Sequence, residues 1–326
     1  MKKHFKWLLS CLIIAGCANN SSSNKIPVVG FLDFIEDATI ALAKKGFFDA
    51  LEKNGFSEKD STIKIVYANA QGDIPTLGQS CDLILSKNPA LIATNVTLST
   101  ITAVQRTKTI PVFMMVSPRP DLAKLTDDKG NAPANLFGVY ETLDYLDTAI
   151  TVIKQLKPDA KIVGTIYNQA EPQSQAAFDK LKAGCDKLGL ELKYLPVNNS
   201  SETQLVTQSL LNKNVDVFFA LPDNVIFASF ETVVKSCNDK NIPIFTSEAG
   251  LVSRGAVASF GADFYQWGYQ SGEQAVAYLK SLKEKSEPGL PKNLHPEIVK
   301  VRKRVYNPEA AARFNIQPGK DFVPFK

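Results

Sequence analysis

The sequence predicts an α/β protein built from two doubly wound parallel-sheet domains. From residue 26 onward, short runs rich in Val, Ile and Phe alternate with amphipathic segments, a pattern typical of parallel strands connected by helices. The chain has 326 residues, which suits two domains of ordinary size better than one or three. A second series of alternating elements follows the first after about residue 138. We therefore expect two similar folds in one chain.

The first series begins with a strand and a helix whose apolar residues recur at helical spacing. Ile40, Ala43 and Phe47 lie on one face of that helix, and Gly55 is a typical residue at a helix end. The same alternation then continues until the domain is complete. The predicted strands are 26–32, 62–68, 90–94 and 110–115, and the predicted helices are 39–54, 75–86 and 98–106.

The second series repeats this order of elements and is equally regular. It starts with a helix and then alternates strands and helices. The predicted helices are 143–156, 173–188, 202–211 and 226–238, and the predicted strands are 162–167, 191–196, 215–220 and 243–246.

The last third of the chain indicates how the two domains are joined. After a short strand at 256–260, a long helix at 264–282 would be surplus in the second sheet but could complete the first. The chain is therefore expected to cross between the domains more than once, which makes a hinge of several strands. The expected division is 26–138 with 262–297 for the N-terminal domain and 139–261 with 298–326 for the C-terminal domain.

Residues 298–306 alternate apolar and basic side chains, as in an edge strand with one solvated face. The apolar positions include Val299 and Val305, and the basic positions include Lys300, Arg302 and Arg304. We interpret the basic residues as protection of a sheet edge. A binding patch is the alternative.

The N-terminus predicts export. Lys2, Lys3 and Lys6 precede an apolar run at 7–16, which is shorter than the ~20 residues of a membrane-spanning helix. Residues 1–16 are therefore predicted to be a signal peptide.

The end of this signal, Ile14-Ala15-Gly16-Cys17, resembles the bacterial lipobox. This resemblance implies a lipid anchor on Cys17, followed by a polar tether over 17–25. An ordinary cleaved signal with a chance cysteine is the alternative.

Composition excludes several classes of function. Residues 1–16 contain three lysines and no acid, so their removal lowers the net charge from +4 to +1, which argues against a nucleic-acid partner. Cys81, Cys185 and Cys237 are odd in number and lack metal-type spacing; buried free thiols are expected, and one disulfide is the alternative. His295 is the one histidine after the signal, so neither a histidine-rich metal site nor a cofactor is expected.

Ligands of parallel sheets bind beyond the carboxyl ends of the strands. The loops there would surround one cleft between the two domains. Two of them, Asn95–Ser99 and Asn168–Ser174, place amides and hydroxyls at predicted helix starts, where free N–H groups favour an anion. Thr97 and Ser174 are thus candidates for binding a ligand carboxylate, or they are simple helix caps.

Acidic residues follow other strands. Asp33, Asp223 and Glu248 have no evident cation nearby in the sequence, so they could accept an amino group; solvated loop acids are the alternative. The loop after the fourth strand contains Ser117 and Arg119. Arg119 could form a fork to a carboxylate or phosphate, or lie on the surface. Four aromatic side chains could wall the cleft or pack in the core: Phe34, Tyr140, Phe264 and Tyr265.

Several motifs, in order and at suitable separation, together resemble the ABC transporter substrate-binding family related to tryptophan/tyrosine-type uptake proteins, over residues 26 to about 315. The motifs are Val28–Phe31, Lys45–Phe47, Tyr67–Asp73, Gly164–Asn168, Glu171–Ser174, Pro222–Asn224 and Gly261–Gly272.

The resemblance implies a type I periplasmic-binding fold with three crossing segments, located outside the cytoplasm. It also implies that a captured solute is delivered to a membrane permease driven by a separate ATPase. Because some relatives bind aromatic amino acids, it implies a carboxylate site at Thr97 and Ser174 and an amino site near Asp223. The matched motifs contribute further candidate ligand-binding residues: Asn168, Glu171, Asn224 and Asp263.

The chain departs from the usual family pattern at Asn95-Val96-Thr97 and at Ser117-Pro118-Arg119-Pro120, which leaves the ligand open. We expect a non-catalytic receptor that closes by hinge motion around a small solute, namely an amino acid, with the aromatic ones among the candidates. A lipoprotein that presents its ligand to a sensor is one alternative. An extracytoplasmic α/β enzyme is another, although the chain has no Gly-x-Ser-x-Gly and no phosphate-loop motif.

Overall fold

The structure is a computed structural model that describes residues 26–284 and 289–325. The predicted signal peptide, Cys17 and the tether lie outside these residues. The strands are β1 Val28–Asp33, β2 Lys64–Asn69, β3 Leu91–Asn95, β4 Val112–Met115, β5 Leu136–Tyr140, β6 Ile162–Tyr167, β7 Glu191–Pro196, β8 Val217–Ala220, β9 Ile244–Thr246, β10 Ala258–Ala262, β11 Glu297–Ile298, β12 Arg302–Tyr306 and β13 Val323–Pro324. The helices are α1 Ala38–Lys53, α2 Ile74–Leu85, α3 Thr97–Arg106, α4 Tyr145–Leu156, α5 Pro172–Lys187, α6 Thr203–Leu211, α7 Asn224–Ala228, α8 Phe230–Asp239, α9 Ala249–Val252, α10 Phe264–Glu284 and α11 Pro308–Arg313.

These strands form two sheets, and the predicted α/β class is confirmed. The first sheet has the order β11-β5-β4-β3-β1-β2, and its neighbouring strands are parallel. The second has the order β13-β12-β10-β9-β8-β6-β7, with β12 antiparallel to β10. In the first sheet Asp33 is level with Asn95, and Asn95 with Met115. The carboxyl ends of neighbouring strands therefore meet at one edge.

The chain passes between the two sheets three times, as the predicted multi-strand hinge requires. It leaves the first sheet after β5, returns to it after β10, and leaves it again after β11. Helix α10 packs on α1, β4 and β5 of the first sheet. This packing is close because Gly268 lies against α1, where an added Cβ would be 1.8 Å from the Ala43 carbonyl oxygen.

The prediction of one edge strand over residues 298–306 is wrong. Residues 297–298 belong to the first sheet, whereas 302–306 belong to the second, where β13 lies outside them. The segment is the third crossing, so its two ends face different sheets. Three of its basic side chains form ion pairs: Arg302 with Glu141, Lys303 with Asp263 and Arg304 with Asp321.

The features that were not predicted include strand β5 and a break in one helix. Strand β5 contains Gly138, which has a φ of 92°. A Cβ added there would lie 2.3 Å from the Met114 carbonyl oxygen, so only glycine fits at this position. The helix predicted over 226–238 is divided at Ser229, which is the N-cap residue of α8 but donates its hydroxyl back to the Val225 carbonyl oxygen, 2.5 Å away.

The core lies on both faces of each sheet and is formed by fully buried aromatic and aliphatic side chains, among them Phe31, Phe113, Phe218 and Phe245. The three cysteines after the predicted signal are buried and free, as expected. No helix in residues 26–284 or 289–325 combines the length and the apolarity that a membrane span requires.

Candidate ligand-binding cleft

A small cavity lies between the two sheets, beyond the carboxyl ends of their strands, and encloses about 30 Å³. The first sheet, the crossing segments and the second sheet all contribute to its walls. The lining residues are Val96, Thr97, Val116, Ser117, Pro118, Glu141, Leu143, Tyr145, Gln173, Pro222, Asn224, Phe227, Glu248, Phe264 and Trp267.

The backbone of this cavity is strained. Val96, Val116 and Leu143 have positive φ angles of 66°, 50° and 65°, a conformation that is uncommon for large or β-branched residues. Each such residue costs about 1–3 kcal/mol and persists where the surrounding structure imposes it. All three line the cavity, and backbone strain of this kind concentrates at ligand-binding sites.

On the first wall, α3 begins without a side-chain cap. Its N-cap residue is Val96, which makes no capping bond, so the first N–H groups of the helix keep their capacity to bind an anion. The hydroxyls of Thr97 and Ser99 are buried and have no hydrogen-bond partner. Thr97 lines the cavity together with Ser117.

On the second wall, Asp223 is fully engaged by its neighbours. Its Oδ1 accepts hydrogen bonds from the N–H groups of Val225 and Ile226 at 2.8 and 3.1 Å and so caps α7. Its Oδ2 accepts the Asn168 N–H at 2.6 Å and the Ser174 hydroxyl at 2.5 Å. Burial raises the pKa of Asp223, and these bonds oppose the rise.

Neither Asp223 nor Ser174 lines the cavity. The amino site expected at Asp223 and the carboxylate site expected at Ser174 therefore do not fit this arrangement. The two side chains bond to each other instead and fix the loop before α5 to the start of α7.

Glu171 positions two polar residues that do line the cavity. One of its oxygens accepts hydrogen bonds from the Asn224 N–H at 3.2 Å and from the Gln173 side chain, and the other accepts from the Asn168 amide. Burial and the nearby Asp223 carboxylate raise the pKa of Glu171. The Oε1 of Gln173 and the Nδ2 of Asn224 are buried at the cavity without a partner. Gln173 was not among the predicted site residues, since an exposed and a cavity-facing glutamine look alike in sequence.

The predicted residues at the end of β1 and β3 lie away from the cavity. Asp33 has a local cation after all, because Lys44 on α1 lies 3.3 Å from its Oδ2 and Tyr67 donates to the same oxygen. Burial raises the pKa of Asp33 and the Lys44 charge opposes this. Phe34 is in the core, and the amide of Asn95 donates to the Ile40 carbonyl oxygen.

Other predicted contacts are also occupied elsewhere. Asp263 bonds the Gln266 N–H at the start of α10 and pairs with Lys303. The guanidinium of Arg119 forms its fork with Asp121, at 2.6 and 2.9 Å. The hydroxyl of Tyr265 donates to a carboxylate on α1. These side chains, with Tyr140, are outside the lining of the cavity.

Two buried glutamates in the cavity differ in their partners. Glu141 is bound by both arms of Arg302, at 2.6 and 2.9 Å. Glu248 has no such cation: its Oε1 accepts hydrogen bonds from the hydroxyls of Tyr145 and Ser247, both at 2.8 Å. Burial and the Glu141 charge raise the pKa of Glu248 to about 8.

An aromatic wall completes the cavity. Phe264 packs edge-to-face against Phe227 and against Trp267, with ring centroids 6.1 and 5.7 Å apart. Trp267 is held in place by a hydrogen bond from its indole N–H to the Val139 carbonyl oxygen at 2.8 Å. Phe264 was a predicted wall residue, whereas Phe227 and Trp267 were not singled out.

An ion pair joins the two sides of the cleft next to the cavity. The Nη1 of Arg254, which follows α9 on the second side, lies 2.5 Å from Oδ2 of Asp37, the N-cap of α1 on the first. The other nitrogens of Arg254 bond Glu231 and the Phe227 carbonyl oxygen. We call the Asp37–Arg254 pair the clasp.

These features define a protein that encloses a small solute between two lobes. A family model described as ABC transporter substrate binding protein matches residues 28–321. The chain therefore belongs to the family of ABC transporter substrate-binding proteins, as the motifs predicted. Members of this family are extracytoplasmic solute-binding proteins and not enzymes.

Individual relatives extend this similarity. The chain is 34% identical over 286 residues to a tyrosine-binding protein of Clostridioides difficile (strain R20291), across 84% of this chain and 81% of the relative. It is similar to the structure of an ABC domain from Streptococcus pneumonia in complex with L-Trp, with 25% identity and a TM-score of 0.79 over 90% of this chain and 96% of that one. The ligand-free, open structure of a substrate-binding protein from Clostridium difficile gives 27% identity and a TM-score of 0.63 over 92% and 100%.

Proposed function

We propose that this protein is the lipid-anchored receptor of an ABC importer that captures an aromatic amino acid and delivers it to a permease driven by a separate ATPase. The observation that carries the proposal is the combination of groups in the cavity. The start of α3 offers N–H groups and the free Thr97 hydroxyl to a carboxylate, and Glu248 offers an acceptor to an amino group. Phe227, Phe264 and Trp267 offer aromatic surface to a side chain.

Unpartnered polar atoms in the cavity support a polar ligand. More than nine in ten buried polar groups in proteins have a hydrogen-bond partner. In this cavity, Thr97 Oγ1, Gln173 Oε1 and Asn224 Nδ2 have none. They come from both sides of the cleft, so a ligand that bonds all three would bridge the two lobes. Such bridging favours the closed state by its differential affinity for that state.

The arrangement of the lobes fits a closed state. The chain is more similar to the tryptophan-bound structure than to the open, ligand-free one, with TM-scores of 0.79 and 0.63. The clasp joins the lobes directly. The cavity is small, about 30 Å³, and lies between the lobes, so we infer that they separate before an amino acid enters. We propose that the hinge divides the chain at the ends of β5, β10 and β11, into 26–140 with 263–298 and 141–262 with 299–325, which is within two residues of the three predicted boundaries.

The ligand proposal is tested by isothermal titration calorimetry of the purified full chain with L-tyrosine, L-tryptophan, L-phenylalanine and D-ribose. We expect saturable binding of at least one aromatic amino acid and none of the sugar, because the cavity offers charged-group contacts and a flat apolar wall. The desamino and the decarboxylated analogues of the best ligand should both bind more weakly. Binding of the sugar alone would contradict the proposal.

The anchor proposal rests on the signal and on Cys17. A receptor held at the membrane has a high effective concentration at its permease. We expect Cys17→Ser to move the protein from the membrane fraction to the soluble extracytoplasmic fraction after cell disruption. Retention of this variant in the membrane would contradict lipidation at Cys17.

A further inference from the structure

Glu248 is a buried carboxyl group in the wall of the cavity. The side chain is 1% exposed and lines the cavity. Its Oε1 is bonded by two hydroxyls, those of Tyr145 and Ser247. Within the described residues, Oε2 has no hydrogen bond. A protonated carboxyl group can keep the same two bonds, because Oε1 acts as an acceptor in either protonation state.

The charged groups around Glu248 provide no counter-charge. From the first crossing, Glu141 faces it and raises the cost of its ionisation. The Arg302 guanidinium on β12 is bound by Glu141 itself. Tyr145 on α4 is a neutral donor, and burial with the nearby carboxylates raises its pKa.

The remaining charges near α9 also belong to closed pairs. The Arg254 guanidinium is shared between Asp37 and Glu231, and the Lys303 ammonium pairs with Asp263. A buried carboxylate without a cation is strongly disfavoured. In the ligand-free site, therefore, Glu248 is expected to hold a proton at neutral pH.

We propose that the ammonium group of the ligand is the missing counter-charge of Glu248, and that amino-acid binding releases the Glu248 proton to solvent. The inference rests on the proposed function and deepens it. In the complex, the ligand ammonium donates a hydrogen bond to Oε2 of the ionised carboxylate and keeps its own protons. The Tyr145 and Ser247 hydroxyls remain bonded to Oε1. Glu141 does not bind the ligand ammonium, because the Arg302 guanidinium already neutralises its carboxylate.

The sign of the resulting pH dependence follows from linkage. Burial and Glu141 raise the pKa of the free Glu248 to about 8, and a bound ammonium lowers it. Below pH 8, binding must then remove a proton, so affinity rises with pH. Linkage gives ~10-fold tighter binding from pH 6 to 7 and ~50-fold from pH 6 to 8, with about one proton released per ligand at pH 7.

Calorimetry in buffers of different ionisation enthalpy measures the released proton directly. We would titrate the full chain with L-tyrosine and L-tryptophan at pH 6, 7 and 8, and with 3-(4-hydroxyphenyl)propionate, which is tyrosine without its amino group. The amino acids are expected to release about one proton at pH 7. The desamino analogue should release none, because Glu248 then stays protonated.

Two variants separate Glu248 from other buried acids. Glu248→Gln mimics the protonated side chain, so we expect no proton release, an affinity for the amino acid that is constant from pH 6 to 8, and the greatest loss relative to the native protein at pH 8. Asp33→Asn is the matched control: Asp33 is also buried with a raised pKa, but it is outside the cavity lining. This control should release the same proton as the native protein.

The outcomes distinguish the two proposals. Binding of an amino acid without proton release, or with release that persists in Glu248→Gln, overturns the inference and leaves the proposed function standing. If neither of these amino acids nor L-phenylalanine binds, the proposed function fails and the inference fails with it. Equal proton release by the desamino analogue would place the titrating group elsewhere.

Discussion

The two walls of the cavity begin their helices in opposite ways. At the start of α3, Val96 provides no side-chain cap and the Thr97 hydroxyl is left without a partner. At the start of α7, Asp223 accepts four hydrogen bonds from its own wall. Both positions follow a strand and open a helix. The first backbone N–H groups of α3 stay free for a ligand, whereas those of α7 are capped.

This difference shows why an acid at a strand end is weak evidence for a ligand contact. An aspartate before a helix is among the best capping residues, so the local backbone competes for its oxygens. Val96 cannot compete in this way, and its strained conformation keeps the start of α3 open. In this molecule the uncapped, strained helix start is the better indicator of the site.

Replacing Asp223 on the second wall should lower the stability of the protein and not its affinity for the ligand. Asp223→Ala removes the cap of α7 and leaves the Asn168 N–H and the Ser174 hydroxyl without their acceptor. We expect a loss of about 3 kcal/mol in the free energy of unfolding, from the cap and two unsatisfied donors. Urea unfolding followed by circular dichroism measures it. A fully stable variant that has lost ligand binding would restore Asp223 as a direct ligand contact.

Replacing Thr97 on the first wall should lower ligand affinity and not the stability of the protein. Thr97→Val keeps the shape of the side chain and removes a hydroxyl that has no protein partner. Stability should therefore be unchanged or slightly higher, whereas affinity for the amino acid should fall about 10-fold, as for the loss of one hydrogen bond to a charged group. Calorimetry and thermal unfolding of the same sample give both values.

Thr207→Val is the matched control for this prediction. The Thr207 hydroxyl is also buried and unpartnered, but it lies on α6, outside the cavity lining. Its replacement should leave affinity unchanged. An equal loss of affinity in both variants would mean that Thr97 acts through stability and not through ligand contact.

Much of the fold could be predicted from sequence because its signals are local and repeated. The alternation of strands and helices gave both sheets, and the position of α10 gave the return to the first. What failed was the assignment of 298–306, because a short alternating segment has the same pattern in either sheet. Strand β5 was missed because Gly138 weakens the apolar pattern of residues 136–140. The reason for a glycine there is its close contact with the Met114 backbone, which only the packed sheet shows.

The site was predicted at the level of loops and less well at the level of atoms. Of the predicted polar residues, Thr97, Ser117, Asn224 and Glu248 line the cavity. Phe264 also lines it, whereas the other predicted polar residues do not, because sequence does not show which partner a polar side chain chooses. Glu141 and Glu248 illustrate this limit: whether a buried glutamate meets an arginine depends on Arg302, which lies far along the chain.

The clasp joins the two sides of the cleft, so weakening it should favour the open state. In Asp37→Asn, Oδ1 can still cap α1 through the Thr39 and Ile40 N–H groups, but the position of Oδ2 no longer accepts from Arg254. Closure should weaken by about 1 kcal/mol and ligand affinity by about fivefold.

Glu231→Gln is the control, because it weakens an Arg254 pair that lies within one side of the cleft and should leave affinity unchanged. Small-angle scattering of the ligand-free variants adds a second readout, since an opened cleft increases the radius of gyration. Equal affinities for both variants and the native protein would show that the clasp does not contribute to closure.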